Sequence, residues 1–119
     1  AGCSGGGHVE LDYALAFGRR TEIRLRQADP SANLGFLLVG DPSSTRISCG
    51  SCTLLSTPLV VAVGMSSGAA AFSLLVPGDP SFTGVNLDLQ FAVIGPQIQA
   101  CALVPGLAAS DILRATIRD

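Results

Sequence analysis

The sequence predicts an all-β protein, an antiparallel β-sandwich of about eight or nine short strands held together by disulfides. Apolar residues recur at every second position in most of the chain, and Gly, Pro and Asp separate these runs. Four cysteines in 119 residues suggest a disulfide framework. The length fits one domain. We expect a glycine-rich leader at residues 1–8, anchored by Cys3, and a single sandwich domain at residues 9–119.

The first two predicted strands alternate most clearly. In VELDYALAF the residues expected on one face are Val9, Leu11, Tyr13, Leu15 and Phe17. In TEIRLRQ, Ile23 and Leu25 are expected inside, and Glu22, Arg24 and Arg26 outside. The acids and arginines on the outer faces of these two runs have opposite charges. We therefore expect ion pairs across the two strands.

The remaining runs continue the pattern. FLLVG, residues 36–40, is wholly apolar, as is typical of a buried central strand. CTLLS, LVVAVGM, AAFSLLV, VNLDLQFAVIG, ACALV and DILRATI follow in chain order. In VNLDLQFAV the expected inward residues are Val85, Leu87, Leu89, Phe91 and Val93, against Asn86, Asp88 and Gln90 outside. Three Asp-Pro-Ser triplets, at 29–31, 41–43 and 79–81, predict turns between strands.

Charge and hydropathy exclude several function classes. The net charge is −2, and all seven cations are arginines. There is no basic patch for nucleic acid and no apolar run of the roughly 18–20 residues that spans a bilayer. Only 13% of the residues are charged, while 48% are hydrophobic. A surface so poor in charge suggests that a partner, a sugar or another copy of the chain covers part of it.

The cysteines indicate an exported protein. Cys3, Cys49, Cys52 and Cys101 have no accompanying metal or redox motif, whereas small exported domains commonly depend on disulfides. The chain also begins with small residues, as mature proteins do after signal cleavage. We expect secretion to the cell exterior or cell surface. Four cysteines allow three pairings, and spacing alone does not choose among them.

The segment SLLVPGDPSFTGVNLDLQ, residues 73–90, is preceded by CTLLSTP at 52–58 and followed by DILRATI at 111–117. In this order the segments resemble a β-sandwich module found at the C-terminus of large secreted bacterial proteins of unknown function. The resemblance covers nearly the whole chain, and its distinctive block is VPGDPSFTGVNLDLQ, residues 76–90. GCSGGG and IRLRQADPSANLGFLLVG resemble its front half more weakly. The resemblance implies an extracellular sandwich and supplies no catalytic residue. It also implies a Cys3–Cys52 bridge, which leaves Cys49 to pair with Cys101, although the family pattern has two cysteines rather than four.

Two short motifs suggest catalysis. Gly2-Cys3-Ser4-Gly5-Gly6 fits the G-x-S-x-G pattern of a nucleophile elbow, with His8 as the single histidine. An elbow needs a strand before the serine and a helix after it, and here a glycine tract follows. In Cys49-Gly-Ser-Cys52 no histidine follows the cysteines, which excludes a papain-like site. No βαβ pattern surrounds this CxxC either, which argues against a redox site. We expect that this protein is not an enzyme.

The sequence also lacks a convincing metal or partner site. A zinc site would use Cys49 and Cys52 as one ligand pair, but Cys3 and Cys101 do not form a second pair in sequence. Asp41, Asp79 and Asp88 could ligate calcium in principle, but they lack calcium-loop spacing. Arg19, Arg20, Arg24 and Arg26 form a cluster next to acids, which indicates a solvated strand face rather than a docking site. We expect no cofactor and no metal.

These observations predict an extracellular structural protein that self-assembles, as the subunit of a surface filament or layer. Few charges, a high apolar fraction and a glycine leader before an alternating strand support this prediction. Such a leader strand would pair with the open sheet edge of a neighbouring copy. The alternative is an adhesin-like or carbohydrate-binding module with a glycan partner. Exposed aromatic platforms are scarce for that purpose, with Tyr13, Phe72 and Phe82 as the candidates.

Overall fold

The computed structural model describes residues 3–43, 45–56, 58–76, 78, 80–101 and 104–118. In these residues it contains ten β-strands, one short 3₁₀ turn and no α-helix. The strands are β1 (His8–Leu11), β2 (Arg20–Arg26), β3 (Leu34–Gly40), β4 (Arg46–Cys49), β5 (Cys52–Leu55), β6 (Leu59–Val63), β7 (Ala70–Leu75), β8 (Asn86–Ile94), β9 (Leu107–Ala109) and β10 (Leu113–Thr116). The 3₁₀ turn spans Pro80–Phe82. The predicted all-β class is confirmed.

The strands form two antiparallel sheets and a separate hairpin. One sheet has the order β1-β2-β7, and the other has the order β10-β8-β3-β6, with β9 also paired to β8. The β4–β5 hairpin is the third unit. β3 lies between β8 and β6, which confirms the central position that its apolar sequence predicts.

The core lies between the two sheets and is built by period-two alternation. Ile23 and Leu25 of β2 are buried, as are Leu37 of β3 and Phe91 and Leu89 of β8. The buried residues of β2 and β8 come from positions predicted to point inward, and Leu37 comes from the run predicted to be a buried central strand. The outward charges of β2 also pair as expected: Arg26 Nε is 2.6 Å from Glu10 Oε1 on the neighbouring strand.

The outer face of β8 differs from the prediction. Asp88 and Gln90 were expected at the surface, but both are completely buried. The β4–β5 hairpin lies over this face, where Leu55 packs with Leu38 and Ala92 in a second apolar cluster. The molecule therefore has a third layer over part of the sandwich, and β8 is covered on both faces.

The first predicted strand is shorter than its alternation suggests. β1 ends at Leu11, where Asp12 takes over the pairing with Glu22: its N–H donates to the Glu22 carbonyl and its Oδ1 accepts from the Glu22 N–H. Tyr13 is then 59% exposed rather than inward. Ala16 forms a parallel bridge with Arg118, so the connection between β1 and β2 pairs with the segment that follows β10.

Near the C-terminus the strands lie elsewhere than the apolar run ACALV predicts. Neither Ala100 nor Cys101 is in a strand, and Ala102 and Leu103 lie outside the described residues. β9 instead begins at Leu107. DILRATI does form a strand, as β10.

The glycine leader packs against its own domain. The Cys3 N–H donates to the Ala109 carbonyl at 3.1 Å, and the Asp29 N–H donates to the Gly5 carbonyl at 2.9 Å. Gly6 lies so close that a Cβ there would be 1.9 Å from the Ala109 carbonyl oxygen. Only glycine fits this approach.

Two buried disulfides join distant parts of the chain. Cys3 is bonded to Cys52, and Cys49 is bonded to Cys101, each pair with Cα atoms 4.8 Å apart. This is the pairing that the family resemblance implied. The first bridge attaches the leader to the hairpin, and the second attaches the hairpin to the loop after β8.

Candidate functional site

Ser4 and His8 are not arranged as a nucleophile and its base. Ser4 lies in an exposed turn, and His8 begins β1 with most of its side chain in solvent. The His8 Nδ1 is 3.8 Å from Asp111 Oδ2. Among the described residues no hydrogen bond joins Ser4 to His8. The geometry needed for serine activation is therefore not present here.

The cysteines have a structural role rather than a catalytic or metal-binding one. Cys49 and Cys52 flank the two-residue turn of the β4–β5 hairpin, and both are oxidised in the bridges described above. A bridged sulfur is neither a nucleophile nor a zinc ligand, because both roles need the thiolate. The described residues also contain no group of three or more His, Cys, Asp or Glu side chains that could hold a metal ion.

The aspartates considered for calcium have other partners. Asp41 Oδ1 accepts hydrogen bonds from the Ser43 N–H at 2.8 Å and the Ser43 hydroxyl at 2.9 Å, which lowers the pKa of this carboxyl. Asp88 is held by Arg46 from β4 and by Arg114 from β10, the latter at 3.0 Å. Asp79 lies outside the described residues.

A buried polar cluster on β8 was missed by the sequence reasoning. Gln90 Oε1 accepts from the Leu55 N–H at 3.2 Å, and its Nε2 donates to the carbonyls of Thr53 at 2.7 Å and Ser110 at 3.0 Å. Ser110 Oγ in turn accepts from the Phe91 N–H. With Asp88 and its arginines, these bonds fasten the hairpin to the sheet. The cluster is satisfied internally and has a structural role.

The arginine cluster divides into two groups. Arg24 contacts Glu22 at 2.5 Å and Asp12 at 3.9 Å. The Glu22 hydrogen bond and charge raise the pKa of Arg24. Arg26 is paired with Glu10, as described above. The other two contact uncharged groups: Arg19 lies over the ring of Tyr13, 5.7 Å from its centroid, and Arg20 Nη1 donates to Ser73 Oγ at 3.2 Å.

A polar cleft of about 380 Å³ lies beside the leader. Its lining includes Ser4, Asp29, Ser51, Gln97 and Gln99. These hydroxyl, amide and carboxylate groups suit hydrogen bonding to a polar ligand. The three aromatic candidates do not line it: Phe72 is half-buried in β7, while Tyr13 and Phe82 are exposed elsewhere.

One side of the sandwich ends in two uncharged strands. β6 is an edge of the larger sheet and β7 is an edge of the smaller one, and a turn at 64–69 connects them. Both belong to residues 47–78, a segment without any charged residue or histidine. Leu59 and Val60 of β6 are 70% and 54% exposed. The absence of charges from residues 47–78 is visible in the sequence. The sequence does not show, however, that β6 and β7 are edge strands on the same side of the molecule.

The opposite side is closed by the chain itself. The Val9 N–H of edge strand β1 donates to Asp111 Oδ1 at 2.9 Å. Cys3 covers β9, since its N–H binds the Ala109 carbonyl and its Sγ lies 3.1 Å from the Ala109 nitrogen. These contacts protect the backbone groups that an incoming strand would use. The two sides therefore differ in their capacity for strand pairing.

The described residues include no helix long and apolar enough to cross a membrane. Comparisons with known protein families, with curated proteins and with solved structures gave no match. The resemblance to the secreted bacterial module thus stays a prediction. Among the surfaces of the described residues, the uncharged edge formed by β6 and β7 is the most distinctive.

Proposed function

We propose that this chain is a secreted structural protein that assembles with copies of itself through the uncharged edge formed by β6 and β7. The main support for this proposal is that both edge strands on one side of the molecule lie in the charge-free segment 47–78. Edge strands of monomeric proteins usually carry charges, prolines or covers that prevent strand pairing. Here the structural cover is on the other side of the molecule.

The exposed apolar side chains of β6 support the proposal. Val60 and Ala62 are cross-strand partners of Leu38 and Phe36, so they share the outer face of the larger sheet, and both are exposed. The hairpin covers Leu38 but stops short of β6. A neighbouring copy that paired with β6 would bury these side chains and satisfy the open backbone groups together.

The leader is not the donor strand of this proposal. Residues 3–7 are bonded to their own domain, so the earlier expectation of a leader strand on a neighbour's edge does not fit their position. Instead, a two-fold axis relates the two copies, so that β6 of each copy lies against β7 of the other. Growth into a filament or layer then uses a second apolar surface, for which exposed Leu34 and Val104 at one end of the sandwich are candidates.

The experiment measures assembly of the native protein by sedimentation velocity and electron microscopy. We expect particles larger than one copy at micromolar concentration. Val60→Lys and Ser73→Lys each place a cation on an edge strand and should shift the protein towards the monomer. Thr53→Lys, at an exposed position of the hairpin, is the matched control and should assemble like the parent. Monomers at all concentrations, or equal effects of all three variants, would refute the proposal.

A second candidate is a glycan-binding module, favoured by the polar cleft at Asp29, Gln97 and Gln99. Side-chain amides and carboxylates match the hydroxyls of a sugar. Binding on a glycan array that disappears in Gln97→Ala/Gln99→Ala, with assembly unaffected, would support this candidate. An array without any signal would remove it.

A further inference from the structure

The two disulfides meet at the turn of the β4–β5 hairpin. Cys49 and Cys52 are direct cross-strand partners there, and each is bonded to a cysteine from another part of the chain. Opposite residues of an antiparallel pair have Cα atoms roughly 4.5–5.5 Å apart. A disulfide needs a Cα separation of about 4.4–6.8 Å. The two hairpin cysteines are therefore placed to bond to each other without a change in the strands.

The two cysteines outside the hairpin each accept a backbone hydrogen bond at sulfur. The Ala109 N–H donates to Cys3 Sγ at 3.1 Å, and the Val104 N–H donates to Cys101 Sγ at 3.4 Å. Within the described part of the chain, no hydrogen bond reaches the sulfur of either hairpin cysteine. An N–H donor stabilises the negative charge that a sulfur gains when its disulfide is cleaved. Cys3 and Cys101 are therefore the better leaving groups of their two bridges.

A polar cleft gives a small reductant access to this region. Three of the four cysteines have a sequence neighbour in the lining of the polar cleft beside the leader, namely Ser4, Ser51 and Ala100. The cleft has a volume of about 380 Å³, which is enough for a small dithiol. Cys3 is the most exposed of the four cysteines, at 8%. A dithiol that enters the cleft therefore comes close to both bridges.

We propose that the four cysteines form a thiol–disulfide exchange site, in which one reduction by a dithiol moves the remaining bridge into the hairpin. The dithiol first reduces one bridge to two thiols and is itself oxidised to a disulfide. The hairpin cysteine freed in this step loses its proton and attacks the sulfur of the opposite hairpin cysteine. A Cys49–Cys52 bond forms, the second native bridge breaks, and the leaving thiolate takes up a proton.

The product does not depend on which bridge the dithiol reduces first. Reduction of Cys49–Cys101 makes Cys49 the nucleophile and Cys3 the leaving group. Reduction of Cys3–Cys52 makes Cys52 the nucleophile and Cys101 the leaving group. Both routes detach the leader and the loop after β8 from the hairpin. The inference is independent of self-assembly, because no residue of β6 or β7 takes part.

The second step should be faster than a second attack from solvent. It joins neighbouring sulfurs of one molecule, and such a reaction has a high effective concentration of the nucleophile. All four cysteines are buried, which slows the attack of an external dithiol. We therefore expect the singly reduced protein to accumulate with its bridge already inside the hairpin.

The experiment adds limiting dithiothreitol to the whole chain under argon and traps free thiols with N-ethylmaleimide. The singly reduced protein is then cut with cyanogen bromide at its single methionine and with trypsin at its arginines. Peptide 47–65 should be released with its own disulfide, and maleimide should be found at Cys3 and Cys101. A singly reduced protein that keeps Cys3–Cys52 or Cys49–Cys101 would overturn the proposal. Full reduction without any singly reduced product would overturn it as well.

Two variants show whether the exchange needs both bridges. Cys49→Ser/Cys101→Ser keeps the Cys3–Cys52 bridge and lacks the neighbouring thiol. It should lose the product that is labelled at Cys3 but not at Cys52, because both are then labelled together. Ser48→Ala, at an exposed hairpin position outside the bridges, is the control and should exchange like the parent. Label at Cys3 alone in the first variant would reveal a route without Cys49 and contradict the exchange.

Discussion

Cys49 and Cys52 face each other directly across the β4–β5 hairpin, yet each is bonded to a different distant segment. Directly opposite residues of an antiparallel pair project to the same face of the strands. Both sulfurs therefore enter the core side by side, where one meets the leader and the other meets the loop after β8. The turn of the hairpin is fixed at two neighbouring points.

Removing either bridge should cost nearly the same stability. The sequence separations are 49 and 52 residues, so the chain-entropy model gives similar losses of about 4 kcal/mol. Urea denaturation of Cys3→Ala/Cys52→Ala and of Cys49→Ala/Cys101→Ala would measure both. A loss below about 1 kcal/mol for either pair would show that its bridge adds little to the native state.

Fragment mapping should show three linked peptides. Met65 is the single methionine, and no arginine lies between Arg46 and Arg114. Cyanogen bromide followed by trypsin separates peptides 1–19, 47–65 and 66–114, which carry Cys3, the Cys49–Cys52 segment and Cys101. Under non-reducing mass spectrometry the three should remain joined. Release of 47–65 alone would indicate a Cys49–Cys52 bond and contradict the structure.

The ion pairs of Asp88 should respond asymmetrically to substitution. The Asp88 side chain is 1% exposed, whereas those of Arg46 and Arg114 are 29% and 58% exposed. Arg46→Gln/Arg114→Gln leaves a buried carboxylate without a countercharge and should cost about 3–5 kcal/mol in unfolding free energy. Asp88→Asn leaves arginines that reach water and should cost less, about 1–3 kcal/mol.

Chemical denaturation of Arg46→Gln/Arg114→Gln and of Asp88→Asn would show which change costs more unfolding free energy. Glu10→Gln, whose carboxylate pairs with Arg26 at the surface, serves as the control for a general effect of removing a carboxylate. A larger loss for Asp88→Asn than for the arginine pair would contradict the assigned burial.

Gly6 in the leader should be sensitive to substitution. Gly6→Ala places a Cβ against the Ala109 carbonyl, and the leader must shift to relieve the overlap. We expect a loss of about 1–3 kcal/mol, as for other overpacked sites. Gly64→Ala is the matched control, because a Cβ there meets nothing within 4 Å. Thermal unfolding of the two variants would distinguish them, and equal melting temperatures would place the leader away from β9.

Asp41 should contribute a pH-dependent part of stability. Its pKa in the folded protein is lowered by the Ser43 N–H and then by the Ser43 hydroxyl. A lowered folded pKa gives stability that is fully present above the unfolded value of about 3.9 and is lost as the pH falls through the folded value. Asp41→Asn should therefore flatten the decline of stability below about pH 4.

Carboxyl-detected NMR titration measures the same effect directly. Ser43→Ala removes the hydroxyl donor but keeps the N–H, so the pKa of Asp41 should rise part of the way towards its usual value. Asp29, which accepts from the Ser31 N–H in a separate turn, should be unaffected. An unchanged pKa of Asp41 in Ser43→Ala would remove the hydroxyl as a cause.

The alternating pattern identified β2 and β8 and their inward faces, because one buried face imposes a period of two. The wholly apolar run FLLVG identified β3 as a buried central strand. It failed for Asp88 and Gln90, since a polar side chain that is buried with partners looks the same in sequence as one in water. The hairpin that covers them is distant in the chain, and no local pattern encodes that contact. Asp12 ended β1 early through one backbone and one side-chain hydrogen bond to Glu22, and alternation does not reveal such bonds. The uncharged edge formed by β6 and β7 could not be predicted, because the sequence does not reveal the order of the strands in the sheets.

The two bridges are interlaced along the chain, since Cys49 lies inside the loop that Cys3 and Cys52 close, and Cys101 lies outside it. A single cut of the backbone anywhere between residues 3 and 101 therefore leaves two pieces that remain covalently joined. A protease that nicks an exposed loop would open the chain without releasing either part. The two fragments would remain covalently linked and could re-form their native contacts.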